Sequence, residues 1–147
     1  MTGGFETVAV GDGYTTAGRT ITDADVTNFA GVSGDFNALH TDAERMAETP
    51  FGERIAHGAL VFAITTGLLW QARTEEQREQ VVAFYGVDRL RFVAPVFVGD
   101  TISAAVEVVD TEPTDHPAAN GIVRNEVEVT NQDDETVLAA EFLVLMR

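Results

Sequence analysis

Apolar positions along this 147-residue chain follow two periods. Up to about residue 71 they recur at helical spacing, and from residue 81 onward they alternate. "YTTAGRTI" (14–21) suits an opening strand. In "TDADVTNFAGV", Thr22 with Asp25 three residues on forms a capping-box-like start. Val26, Phe29 and Ala30 then share one helical face, and Gly31 and Gly34 are placed to end that helix. "TDAERMAE" starts a second short helix, with Thr41 and Glu44 as its box and Pro50 as its stop. "HGALVFAITTGLLWQ" (57–71) is apolar nearly all round, and a helix of that kind is buried on every side.

The alternating half reads as strands. In "VVAFYGVDRLRFVAPV" (81–96), Leu90, Phe92 and Ala94 alternate with Arg89 and Arg91. Ile102, Ala104, Val106 and Val108 alternate in the next segment, and Val123, Val127 and Val129 in the one after. "TVLAAEFLVLM" (136–146) is apolar on both faces, as a central or interface strand would be. The connections at 98–100, 112–121 and 132–135 carry turn residues. Strands joined by such short links run antiparallel. One early strand, a buried helix and four late strands predict an α+β layout, a sheet wrapped around one apolar helix. The length suits one domain over residues 1–147.

Composition narrows the field. Nine basic residues, all Arg, stand against 24 acidic ones, a formal charge of −15. That argues against nucleic acid, whose phosphates want a basic face. Self-repulsion at this charge weakens the compact state in dilute buffer and is screened near molar salt, so a salt-rich cytoplasm is the expected setting; an acidic protein of ordinary surroundings is the alternative. There is no Cys, which excludes disulfides, thiolate metal sites and a Cys nucleophile. "MTGGFETVAV" lacks the basic start and apolar stretch of a signal peptide. The longest apolar-rich run has 13 residues, short of the roughly 20 of a membrane span. The expectation is a soluble, cytoplasmic protein.

The link between the two early helices, "SGDFNALH" (33–40), holds an acid, an amide and an imidazole. On a continuous helix of about 3.6 residues per turn, Asp35 and His40 would point roughly 140° apart. They converge only in a bent turn, which Gly34 makes easier. Converged, they form an acid–base pair able to activate water and deliver a proton. The same residues also suit a plain turn, with Asp35 and Asn37 capping the backbone and His40 on the surface. Gly58 falls at the first turn of the apolar helix. Its N–H there is unpaired and lies in positive potential, as an oxyanion hole requires. His57 reads as structural, hydrogen-bonded near the helix start. Asp35, His40 and His57 match no tight metal-ligand spacing, so no metal is expected. His116, in an acidic Pro-flanked loop, reads as exposed.

"FAGVSGDFNALH", "RIAHGALVFA" and "LRFVAPVFVGDTI" together resemble the MaoC-like dehydratases, the (R)-specific enoyl-CoA hydratases or hydratase 2. The resemblance spans residues from about 22 to 108 and implies a hot-dog fold, a five-stranded antiparallel sheet around a long helix. It implies reversible hydration of trans-2-enoyl-CoA to (R)-3-hydroxyacyl-CoA without metal or redox cofactor, coenzyme A being part of the substrate. Carried over, Asp35 and His40 are the catalytic pair, Asn37 supports it, and Gly58 supplies the oxyanion-hole amide. Where the family usually has Pro after that Asn, this chain has Ala38, which leaves the turn less pre-organised. Thr66 and Leu69 are candidates for the acyl pocket, with core packing as the other reading. Arg89 and Arg91 are candidates for the CoA phosphates, with surface salt bridges as the other reading. A homodimer is expected, covering an exposed edge and the doubly apolar last strand. A hydratase for a branched or dicarboxylic acyl-CoA such as mesaconyl-CoA, a thioesterase, and a non-catalytic acyl-CoA-binding subunit are the rivals. Polyester monomer supply and fatty-acid breakdown would both use the reaction.

Overall fold

A computed structural model describes residues 4–147. In chain order the elements are β1 (Gly13–Thr15), β2 (Arg19–Thr20), α1 (Asp23–Ser33), α2 (Ala38–Thr41), α3 (Ala43–Ala47), α4 (Gly58–Ala72), α5 (Glu75–Gln80), β3 (Val81–Phe92), β4 (Thr101–Pro113), β5 (Gly121–Thr130) and β6 (Thr136–Met146). The strands order as β1-β4-β5-β6-β3, all antiparallel, with β2 also on β4. The sheet curls around α4, which is the hot-dog arrangement. No helix among the described residues is long and apolar enough to cross a membrane.

The alternation in β4 and β5 sends Ile102, Ala104, Val106, Val108, Val123, Val127 and Val129 inward, all buried. Val108 and Val123 join Val144 and Met146 in a smaller cluster, while Ile102, Ala104, Val106, Val127 and Val129 close on Leu60, Val61, Ile64, Leu68 and Leu69 of α4. At about 1.5–3 kcal/mol for each fully buried side chain, this contact makes α4 the axis of the molecule. The buried Thr65 hydroxyl is satisfied by the Val61 carbonyl at 2.7 Å.

Five expectations change. The opening strand is two pieces, because the Thr16 side chain takes the Ala104 N–H at 2.9 Å and breaks the ladder; the sheet therefore counts six strands rather than five. The first helix runs through Gly31 and closes at Gly34, which is left-handed at φ 77°. The third helix is capped by Asp42, whose carboxylate accepts from the Arg45 N–H at 2.9 Å, not by Thr41; it ends at Ala47, ahead of Pro50. Helix α4 is not buried all round: Ala59, Ala63 and Trp70 are exposed on one side. In β3, bulges near Tyr85 and Arg89 break the period of two, so Phe84 and Val87, three apart, both pair with inward positions of β6; Leu90, Phe92 and Ala94 keep the alternation read from the sequence. Helix α5 was not anticipated, although Thr74 and Gln77 form a full capping box. The Thr22–Asp25 box opens α1 as read from the sequence.

Candidate active site

The segment from Ser33 to Thr41 is folded by its own short polar side chains. The Ser33 hydroxyl donates to the Phe29 carbonyl at 2.7 Å and accepts from the Asp35 N–H at 3.1 Å. Asp35 Oδ1 accepts from the Asn37 N–H at 3.2 Å. Asn37 Oδ1 accepts from the Leu39 N–H at 3.0 Å and caps α2, the turn that carries His40. These are the backbone-directed bonds that Ser, Asp and Asn favour at turns. The capping reading and the converging reading therefore both describe this loop. One carboxylate oxygen holds the turn and the other, Oδ2, faces His40 Nε2 at 3.7 Å.

The imidazole of His40 is buried at 6 % exposure, while the Asp35 side chain is half exposed. His40 Nδ1 lies 2.8 Å from the Ile55 carbonyl. A carbonyl only accepts, so Nδ1 carries the proton and Nε2 is the atom left to exchange one. A separation of 3.7 Å is too long for a direct hydrogen bond. It leaves both groups free to act on a third partner.

His57 ties the two halves together. Its Nε2 donates to the Asp35 carbonyl at 2.9 Å, and its ring stacks on His40 with centroids 3.6 Å apart. Phe29 meets it edge-on at 5.0 Å. Asp35, His40 and His57 offer ligand atoms within 4.8 Å of one another. The rings, however, lie only 25° from parallel, each with one nitrogen spent on a main-chain carbonyl. Nearly parallel stacked rings hold their free in-plane lone pairs in separate planes, so the two do not both meet one tetrahedral cation at the roughly 2.0–2.1 Å it needs.

Gly58 follows His57 directly and is the first residue of α4. No side chain caps this helix. Its first N–H groups therefore project positive potential beside the dyad. A Cβ at Gly58 would sit 2.9 Å from three atoms of the Phe92 ring, so the glycine lets the end of β3 close over the helix tip. A cavity of about 300 Å³ opens here, lined by Phe51, Ile55, Gly58, Phe92 and Pro95 among others. The Ile55 that steers His40 thus also walls the space beside Gly58.

Thr66 and Leu69 line a separate cavity of about 200 Å³ further along α4, with Phe84 and Phe142. Between it and Gly58, Phe62 packs on those two rings at 6.3 and 5.6 Å. Arg89 and Arg91 lie on the outer side of the sheet. Arg89 is paired with Glu141 at 2.6 Å, and Arg91 donates to the Leu90 carbonyl. His116 lies in an exposed loop. Two contributors escaped the sequence reading. The Ile55 carbonyl has no side-chain signature, and the role of Phe92 over Gly58 depends on how β3 ends.

Residues 6–131 match the family described as MaoC like domain. The chain belongs to that family. The chain is similar in sequence to proteins named as hydratases and dehydratases. Protein MaoC of Klebsiella aerogenes is 43 % identical over 98 residues, 67 % of this chain but 28 % of its own length. The (R)-specific enoyl-CoA hydratase of Aeromonas caviae is 42 % identical over 85 residues, 58 % of this chain and 60 % of that protein. Both matches fall short of two thirds of the relative's length. Among solved structures, a monoamine oxidase regulatory protein from Archaeoglobus superposes with a TM-score of 0.88 at 38 % identity, covering 98 % of this chain and 94 % of that one. The matched stretch of this MaoC-like chain contains Asp35, His40, His57 and Gly58.

Proposed function

We propose that this MaoC-like protein is an (R)-specific enoyl-CoA hydratase, adding water reversibly to trans-2-enoyl-CoA to give (R)-3-hydroxyacyl-CoA. The observation that carries the reading is the single exchangeable nitrogen of His40 aimed at Asp35 Oδ2 beside an uncapped helix start. In this scheme a water sits between the two groups. Its oxygen attacks C3 as Nε2 takes one of its protons, the double-bond electrons shift toward the thioester, and that same proton is passed by way of Asp35 to C2, so the OH and H of one water are both added and each side chain returns to its starting state. The Gly58 N–H stabilises the charge that builds on the thioester oxygen; losing such a donor typically costs about 10²–10³ in rate. No step calls on a metal or redox group. Asn37 acts by capping the turn that presents His40. Thr66 and Leu69 are assigned to the acyl chain, and Arg91 with Arg89 to the CoA phosphates. Resemblance to a relative named for this reaction supports the substrate class.

We further propose that the chain works as one domain and pairs with a second copy. Trp70 of α4 and Phe84 of the edge strand β3, both exposed, border the same cavity and mark an apolar face there; Tyr85 beside Phe84 is exposed too. A partner laid on that face would cover the edge hydrogen bonds.

The test is turnover of crotonyl-CoA in molar KCl, following loss of the enoyl absorbance with thiol detection in parallel. Enoyl loss without thiol release is the expected result. Asp35→Asn should lower it by at least about 10² while the circular dichroism melt is unchanged. Thiol release would instead mark a thioesterase, and near-normal turnover by Asp35→Asn would remove the mechanism.

A further inference from the structure

A third cavity lies toward the far end of α4 from the dyad. It encloses about 380 Å³ against the inner faces of β4, β5 and β6, within the size range of small-molecule sites. Val106, Val108, Val123, Val144 and Met146 make its wall apolar. Tyr14, Arg73 and Asn125 interrupt that wall. Asn125 occupies an inward position between Val123 and Val127, where the strand's alternation calls for an apolar residue. Its nitrogen reaches the Val123 and Phe142 carbonyls only at 3.4 Å, and its Oδ1 accepts no hydrogen bond among the described residues.

Arg73 is the unusual member. Arg19, Arg54, Arg89 and Arg124 each sit on a carboxylate. Arg73 is half-buried, yet its side chain makes no ion pair or hydrogen bond among the described residues. The Trp70 ring, 5.9 Å from its guanidinium carbon, is a weak substitute. Burial holds the guanidinium below its usual pKa, the Tyr14 charge working the other way, and burial raises the Tyr14 hydroxyl. Asp12 also lines the cavity, its Oδ2 accepting from the Ala9 N–H at 2.9 Å and no ion pair joining it to Arg73. A desolvated cation without an anion is costly, so the site is built to be completed.

We propose that this cavity binds an aliphatic carboxylate, with its chain on the valine wall and its anion held by Arg73 alongside Tyr14 and Asn125. A guanidinium fork, a hydroxyl and an amide N–H₂ supply the donors that a carboxylate accepts. The anion has two possible sources. One is a free carboxylate. The other is the far end of an acyl chain on the proposed hydratase: Arg73 also borders the Thr66–Leu69 cavity, seven residues and about 10 Å along the same side of α4 from Thr66. That second version rests on the hydratase reading; the first does not.

The probes are octanoate and octanol, titrated calorimetrically into the full chain in molar KCl. Octanoate should bind and octanol should bind much more weakly. Arg73→Gln should weaken octanoate by about tenfold or more, the loss expected for a hydrogen-bonded charge, without changing octanol. Asn125→Val, which suits the apolar wall, provides the second variant and should also weaken octanoate. No octanoate binding, equal binding of octanol, or unaltered binding by folded Arg73→Gln would overturn the proposal. Crotonyl-CoA and a pair of longer enoyl-CoA substrates separate the sources. Octanoate that still binds under saturating crotonyl-CoA, with no preference for a carboxylate-ended substrate, marks a site for free carboxylates. A preference for the carboxylate-ended chain over its methyl-ended equivalent, lost in Arg73→Gln, marks the acyl end.

Discussion

Gly58→Ala tests the helix tip directly. The new methyl would lie 2.9 Å from three Phe92 ring atoms, where carbon atoms normally rest about 3.5–4.0 Å apart. Roughly 0.6–1 Å of movement must be found. Phe92 is 54 % exposed, and its ring can supply part of it by swinging outward; overpacking of this kind costs about 1–3 kcal/mol. The rest falls on the first turn of α4, and a donor misplaced by about 1 Å costs on the order of 10² in rate. We therefore expect kcat for crotonyl-CoA to fall about 10²-fold, with KM changed less. The melting temperature should fall by roughly 2–4 °C for each kcal/mol lost. Adding Phe92→Ala removes the obstacle, so the double variant should regain about tenfold of that loss, a coupling that a double-mutant cycle reads out. Enoyl absorbance and circular dichroism give both quantities. A folded Gly58→Ala enzyme whose kcat stays within about threefold of wild type would refute the assignment of this N–H to the thioester oxygen.

Salt should stabilise the chain, and the sheet shows one place why. Glu107, Glu126, Glu141 and Asp88 stand opposite one another in a single row across four strands, bridged by Arg124 and Arg89. Like charges directly opposite each other cost about 0.2–1 kcal/mol per pair, and the Debye length shrinks from about 10 Å to 3 Å between 0.1 and 1 M salt. Glu126→Gln should therefore raise the melting temperature at 0.1 M KCl and lose that advantage near 1 M; a gain independent of salt would contradict the electrostatic account. The α1 cap carries a pH dependence. Burial pushes the Asp25 carboxyl up, but bonds from the Thr22 N–H and hydroxyl and the Arg19 charge outweigh it and hold the folded pKa below 3.8. Because the unfolded carboxyl binds its proton more tightly, this contribution is complete above that value and is lost as pH falls through the lower folded one. Thr22→Ala should cost about 1 kcal/mol at pH 7 and make the acid melting profile less steep, checked by circular dichroism between pH 2 and 7.

Short-range chemistry was legible wherever a side chain serves its own backbone. The Thr22–Asp25 box, the left-handed Gly34 and the strands from 101 onward follow from residues a few positions apart. The same rules misplaced the third helix's cap by one residue, since Thr41 and Asp42 are both competent and Thr41 is spent on the Phe36 and Asn37 carbonyls. They misread α4 as buried throughout, because an apolar stripe gives no sign of whether its cover lies in the same chain. In β3 the bulges put Phe84 and Val87, three positions apart, on one face, and no spacing rule anticipates a bulge.

What the sequence decided alone is local: which segments bend, coil or extend, and that an acid, an imidazole and a glycine flank one apolar helix. Its period and its turn residues carry that information because each acts within a few residues along the chain. What only the tertiary structure decided is orientation. The Ile55 carbonyl chooses the protonated nitrogen of His40, His57 stacks the helix tip against the dyad, and Arg73 is left facing a cavity without a carboxylate paired to it. Each of these contacts joins residues 15 or more positions apart or depends on a wall built from several strands, and those distances are set by packing around α4.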